Sequence, residues 1–320
     1  MKMSRRDLAV GLLVTVLWGA NYGVIEVGLR QLDPCLMTLF RFTFCALPLV
    51  FFIRRPVGMS VATIAIYGVL FAVGIWWVVN LAMHQGLSPG MSSVFLQFSA
   101  FFTIILSAVF LGERITAAHV WGMVFAACGL GVMLLASSQS STLSGVLLVL
   151  LAALAWALCN LLIKLKRPGE MTAFIVWSSL YSLPVIVLLT LATQGWNAFE
   201  ALAHGLAWQT LLSVLFQSLV TTILGYRVWN NLMKKYPAAQ VAPLSLLIPV
   251  TGLATSWLFF DEKMSTAQWL AICLILIGIM IFFCQHWIRG MGGMRRADAL
   301  RGGRRGRQGA CGSIPEDLPR

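Results

Sequence analysis

The sequence is poor in charge. Asp, Glu, Lys and Arg make up 11% of its 320 residues, where soluble chains carry about 25%. Carboxylates are the scarcest of these, 11 against 23 Lys and Arg. A soluble fold of this size needs more polar surface than that, because over half of any folded protein's surface is already apolar. This excludes a soluble enzyme, and it excludes a nucleic-acid-binding domain as the main body. Metal and nucleotide signatures are missing as well: there is no H-E-x-x-H, no Walker loop and no carboxylate pair at metal-ligand spacing. No metal or other cofactor is expected. The seven Cys form no C-x-x-C pair and are odd in number. Cys45, Cys128, Cys159, Cys273 and Cys284 lie in apolar runs, Cys35 at a helix start and Cys311 in the tail, so they read as small buried apolar side chains. Gly86 to Gly90 fits G-x-S-x-G, but no strand precedes Ser88, so the stretch reads as a turn before a helix opened by Pro89. His84, His119, His204 and His286 all fall at the ends of apolar runs, which leaves no histidine proton relay inside the apolar body.

What the chain does have is long apolar sequence. Hydrophobic residues are 59% of the total, against a soluble norm of about 45–50%. About 17–25 apolar residues cross a bilayer as a helix. Ten runs meet that requirement, at roughly 8–28, 35–53, 61–82, 90–111, 118–137, 143–163, 172–193, 206–228, 238–260 and 267–287. The first is too long for the apolar core of a cleaved signal peptide. Basic residues collect on cytoplasmic loops. With the N-terminus inside, twenty Lys and Arg fall on inner segments, while Arg30 and Lys263 fall outside and Arg41 lies within a span. A wrong span count would flip every later loop and destroy that bias, so ten spans with both termini cytoplasmic is the expected arrangement. Residues 289–320 hold eight Arg among Gly. They read as a disordered basic tail held at anionic lipid, in preference to an RNA-binding segment.

Two stretches repeat at an offset of 149: the one from Ser92 and the one from Val241. Glu113-Arg114 aligns with Glu262-Lys263, Thr116 with Ser265 and Gly129 with Gly278; earlier, Trp18…Asn21 echoes Trp156…Asn160. A five-span unit used twice must insert in opposite orientations, which is the architecture of many secondary transporters. The expected fold is therefore an all-α integral membrane protein of ten transmembrane helices, in two inverted five-helix repeats over 1–137 and 138–288.

WGANYGVIEVGL with RFTFCALP, LQFSAFFT, FLGERIT and VAPLSLLIPVTGLATSWLFFDEKMS resemble the EamA branch of the drug/metabolite transporter superfamily, and within it the exporters of cysteine and O-acetylserine. The likeness covers roughly residues 4–288. It implies two inverted five-helix halves, no use of ATP, and outward movement of small amino-acid metabolites across the bacterial inner membrane. The chain departs from the pattern at Glu26, where the resemblance has Lys, and at Ser99, where it has a second Gln.

Polar groups inside apolar spans mark candidate sites, since each is costly unless partnered. Glu26 and Arg41 lie at similar depth on adjacent antiparallel spans. They are expected to form a gated ion pair, or Arg41 to hold a substrate carboxylate; a static pair or snorkelling is the structural alternative. Glu26 is also the first candidate for proton coupling. Asn21, Gln97, Asn160 and Gln217 sit on four spans near mid-membrane, and amides both donate and accept, which suits a zwitterion. Interhelical hydrogen bonding is the plainer role. Trp18 and Trp156 either wall the same pocket or simply pack. Pro243 and Pro249 remove amide donors from the ninth span and read as helix-breaking, cavity-facing positions. Gly19 and Gly23 form G-x-x-x-G, a close-packing signal. The partners implied are a small amino-acid-like substrate and membrane lipid, with no nucleic acid. The rival readings are a broader efflux pump for hydrophobic compounds, which needs a deep carboxylate, a membrane-embedded enzyme, and a channel.

Overall fold

The computed structural model describes residues 3–112, 115, 117–135, 142–199, 205–236, 241, 244–245, 247–278 and 280–281. Among these there is no strand. The helices are α1 (Arg5–Leu29), α2 (Pro34–Ala46), α3 (Val61–His84), α4 (Pro89–Leu111), α5 (Ala117–Leu135), α6 (Leu143–Lys166), α7 (Met171–Gln194), α8 (Trp208–Leu215, continuing through Phe216–Gly225 and Tyr226–Lys235), α9 (Leu247–Phe260) and α10 (Thr266–Gly278). Seven stretches are long and apolar enough to cross a membrane; the described apolar stretches of α5, α9 and α10 are shorter. Many large apolar side chains point outward, among them Leu13, Val109, Leu147, Leu188 and Trp257. That surface suits lipid and not water. The protein is a multi-pass membrane protein.

Local sequence sets the helix starts. Ser4, Asp33, Ser60, Ser88 and Thr142 each cap a helix by accepting a backbone N–H two or three residues on. Pro34 and Pro89 follow their caps at the position where no amide donor is needed. The G-x-S-x-G stretch is thus the capped turn between α3 and α4.

Hydrogen bonds between loops sort the helix termini into two ends. At one, Gln31 Nε2 donates to Gly205 O (3.0 Å), Gln194 Nε2 to Asp33 Oδ1 (2.9 Å) and Thr142 Oγ1 to Gln85 O (3.2 Å). At the other, the Ser4 amide donates to the Tyr236 hydroxyl (3.2 Å) and Trp177 Nε1 to Ile53 O (2.9 Å). The second end carries Arg5, Arg6, Arg54, Arg55, Lys164, Lys166, Arg167 and Lys235 and is called the basic end below.

The helices interleave. α1 packs along α9 and against α8, while α6 packs on α3 and α4, and α7 on α2 and α3. Gly19 and Gly23 permit the first of these contacts: a Cβ at Gly19 would lie 1.7 Å from Thr251 Oγ1 and 2.5 Å from Ile248 O, and one at Gly23 2.8 Å from Thr255 Cγ2.

Three irregularities break the helical ladder. α3 widens into a π segment at Leu70–Trp77, and α8 does the same at Phe216–Gly225. α4 breaks at Leu96-Gln97, where its backbone bonds tighten to i→i+3 (Gln97 N to Val94 O, Ala100 N to Gln97 O). Wide turns of this kind recur at functional positions.

One expectation is corrected. Cys128 and Cys273 are exposed on the lipid-facing surface, whereas Cys35, Cys45 and Cys159 are buried as expected; a thiol is apolar enough to suit either setting. Pro249 follows the 3₁₀ residues 244–245, and the described helix starts just before it. It falls in the first turn of α9, where no i→i−4 bond is lost. Pro243, the Glu113-Arg114 pair, Thr116, His204, His286, Cys284, Cys311 and the tail lie outside the described residues.

Candidate functional site

The break in α4 points a side chain inward. Gln97 is buried at 7% exposure, and among the described residues its Nε2 has no hydrogen-bond partner. It lines a cavity of about 370 Å³ whose lining reaches Lys164 and Trp229 toward the basic end. Facing it are Asn160 and Lys164 of α6, one helical turn apart, with Ser99 and Thr103 on the second part of α4. Asn160 Nδ2 donates to Thr103 Oγ1 (3.2 Å), and Thr103 Oγ1 passes its own proton to Ser99 O (2.6 Å). This fixes the Asn160 amide with its oxygen available as an acceptor. Lys164 Nζ donates to Ser107 Oγ (3.0 Å) nearer the mouth.

The remaining wall is aromatic. Trp18 stacks at a tilt on Tyr226 (5.0 Å between centroids) and Trp229 (5.4 Å), while Tyr67 and Trp156 complete the lining. Trp18 Nε1 donates to Thr221 O (2.9 Å), a carbonyl inside the π segment of α8. Deeper in, Trp18, Tyr22, Trp76, Trp156 and Tyr226 close round a gap of only about 20 Å³. The cavity therefore ends at an aromatic collar. Among the described residues, no Asp or Glu lines the cavity or the gap.

Four of the expected residues meet here: Trp18, Gln97, Trp156 and Asn160. Asn21 does not. It is buried at 1% exposure, and its Oδ1 accepts from Thr221 Oγ1 (3.4 Å) between α1 and α8. Arg41 and Glu26 form no ion pair. Arg41 turns to α8, donating to Thr222 Oγ1 through Nε (3.2 Å) and Nη2 (3.0 Å) and to Gln217 Oε1 through Nη1 (3.3 Å). Glu26 is half-buried, with the basic side chains of Arg30 and His84 acting on it. Equal depth placed Glu26 and Arg41 together in the sequence reading, but the two helices present them in different directions.

Sequence reasoning missed Lys164, Tyr67, Tyr226 and Trp229. Lys164 is four residues after Asn160, a spacing that puts both on one face, and that was the available signal. It also missed two polar latches. At the basic end Asp7 accepts from Lys235 Nζ (2.6 Å) and from the Tyr236 hydroxyl, tying α1 to α8. Hydrogen bonding to Asp7 pushes the Lys235 ammonium above the usual lysine range. At the opposite end the Glu262 carboxylate accepts from the hydroxyls of Ser88 and Ser256, tying the start of α4 to the end of α9.

A membrane-embedded helical body, a central cavity with amides on two walls and a collar that closes its far end are the parts of a small-molecule transporter. Comparison with known proteins agrees. The model of the EamA-like transporter family matches residues 7–135 and again 143–284, and the chain belongs to that family. It is 35% identical over 286 residues to a probable amino-acid metabolite efflux pump of Salmonella typhimurium, covering 87% of this chain and 95% of that one. It is likewise 35% identical over 289 residues to the protein of the same description in Escherichia coli, with coverage of 87% and 95%. A solved crystal structure at 19% identity superimposes with a TM-score of 0.58 over 87% of this chain and 96% of the other, which shows a shared fold.

Proposed function

We propose that this protein exports small amino-acid metabolites, of the class of cysteine and O-acetylserine, across the bacterial inner membrane by alternating access. The observation that carries the reading is the Gln97 amide, buried, unpartnered and lining the cavity opposite Asn160. A zwitterion needs donors for its carboxylate and acceptors for its ammonium, and the two amides with the aromatic faces of Trp18 and Trp156 supply both. The hydrophobic-cation pump needs a carboxylate, and the described lining of the cavity holds none. The amino-acid descriptions of the two bacterial relatives point the same way.

The moving parts are two inverted halves, 1–137 and 138–288, making ten crossings. Three features support this. The family model matches twice, once in each half. The third helix of each half, α3 or α8, carries a π segment. The helix Phe98–Leu111 and the helix Leu247–Phe260 have equal length at the 149-residue offset. The basic end faces the cytoplasm and holds both termini. The described conformation then opens inward, with the Glu262 latch closing the periplasmic side and the tail of 289–320 resting on anionic lipid. Glu26, half-buried near that outer side, is the candidate group for proton coupling.

The test is uptake of labelled cysteine and O-acetylserine into everted membrane vesicles, with and without an imposed pH gradient. Accumulation above vesicles lacking the protein supports export. Accumulation of hydrophobic cations in their place refutes it.

A further inference from the structure

Arg41 stands outside the cavity, fully buried, and among the described residues no carboxylate lies within ion-pair distance of it. Its partners are neutral: Thr222 Oγ1, Gln217 Oε1 and the indole of Trp76, whose ring centroid is 3.6 Å from the guanidinium carbon. These bonds leave part of the planar donor fork unused. Thr222 gives its own hydroxyl proton to Gln217 O (2.8 Å), so its lone pairs face the guanidinium. A buried cation without a counter-ion is expensive inside a membrane, and chains that keep one do so for a functional anion or pathway.

Trp76 lies between Arg41 and the collar gap. It lines the collar gap at the far end of the cavity, and among the described residues its Nε1 has no hydrogen-bond partner. It is therefore held by packing and by the cation alone. All three residues that contact Arg41 here belong to the two π segments: Trp76 to Leu70–Trp77, Gln217 and Thr222 to Phe216–Gly225. Moving a π turn along a helix by one residue rotates the intervening side chains by about 100°. Such a shift in α3 swings the indole off the guanidinium.

We propose that Arg41 is a second, carboxylate-binding subsite, screened by Trp76 in the inward-open conformer and presented to the ligand when the π segments rearrange. Its ligand is the carboxylate of a small organic acid. Resting on the functional reading above, that acid is the transported amino acid, handed from the Gln97 amide to the Arg41 guanidinium as the collar opens. Arg suits the second position because its fork matches a carboxylate in two parallel bonds.

Counterflow of labelled L-cysteine in proteoliposomes under reducing conditions tests this, with unlabelled L-cysteine or L-cysteinamide as competitor. Wild type should prefer the acid to the amide at least tenfold. Arg41→Gln should lose most of that preference, with the amide competing as well as before, and Arg41→Lys should restore part of it. A merely structural role weakens both competitors alike. Thr222→Val, which removes the acceptor of two guanidinium donors but leaves the charge, gives a second reading should Arg41→Gln fail to fold: a change of at least threefold in the preference is expected. An Arg41→Gln protein that keeps the wild-type preference, or an unchanged preference in Thr222→Val, overturns the subsite. A wild type that moves no amino acid refutes the functional reading instead.

Discussion

Replacing Gln97 with Met should make the protein more stable and less active at once. The Nε2 group is buried and unpartnered, and leaving a buried donor unmet costs about 1–3 kcal/mol. Met has similar volume and no donor, so it fits the same space without that penalty. A net gain of about 1 kcal/mol is reasonable, which corresponds to a Tm rise of about 2–4 °C for a chain near this size. If the same group donates to the substrate's carboxylate, its loss removes a hydrogen bond to a charged acceptor, about 1.5–3 kcal/mol. At a factor of ten for about 1.4 kcal/mol, kcat/KM for export should fall about 10- to 150-fold. Thermal unfolding in detergent, followed by Trp fluorescence, reads the first effect, and initial rates of uptake into everted vesicles read the second. A variant that melts lower than wild type and transports normally refutes the reasoning, since Gln97 would then be a packing residue with a partner in the working protein.

Other positions carry consequences of their own. Glu262→Ala strips the acceptor from Ser88 and Ser256 and should lower stability by about 2 kcal/mol, seen as a lower Tm; an unchanged Tm means the latch is not closed in solution. Gly19→Val should fail to assemble or lose more than about 3 kcal/mol, because Thr251 and Ile248 already occupy the space, whereas Gly131→Ala, with open space around it, should express and melt as wild type does. The Lys235–Asp7 latch depends on pH through the raised pKa of Lys235. A raised pKa stabilises the fold below the ordinary lysine value and the benefit is lost as pH climbs through the folded one. The Tm difference between wild type and Lys235→Met should thus hold at neutral pH and vanish in strong alkali, or in acid near the lowered Asp7 pKa of about 2; a difference that disappears on acidifying from neutral pH to just above the carboxylate range contradicts it.

Depth was legible in the sequence and direction was not. Hydrophobic length located every helix described, and capping residues such as Ser4 and Ser88 located their starts. Gln97, Asn160, Trp18 and Trp156, singled out in the sequence, do line one cavity, because a polar or indole side chain far from both ends of an apolar run has few places to go. Asn21 and the Glu26–Arg41 pair were misjudged for one shared reason. Position along a helix gives height in the membrane, but the facing direction depends on which neighbour packs where, and here α8 captures both Asn21, through Thr221, and Arg41, through Thr222. The π segments deepen the difficulty. One extra residue in a turn rotates all that follows, and nothing in FQSLVTTILG or LFAVGIWW announces it.

The central claim is that substrate occupies the cavity beside Gln97 and reaches it from the cytoplasm. Ala100 lines that cavity. The most direct measurement is the labelling rate of an Ala100→Cys variant, with the native cysteines replaced, by a membrane-impermeant maleimide. The account predicts labelling in everted vesicles but not in right-side-out ones, slowed by saturating O-acetyl-L-serine and not by its carboxamide. Labelling from the periplasmic face alone, or a rate that the amino acid leaves unchanged, would contradict it.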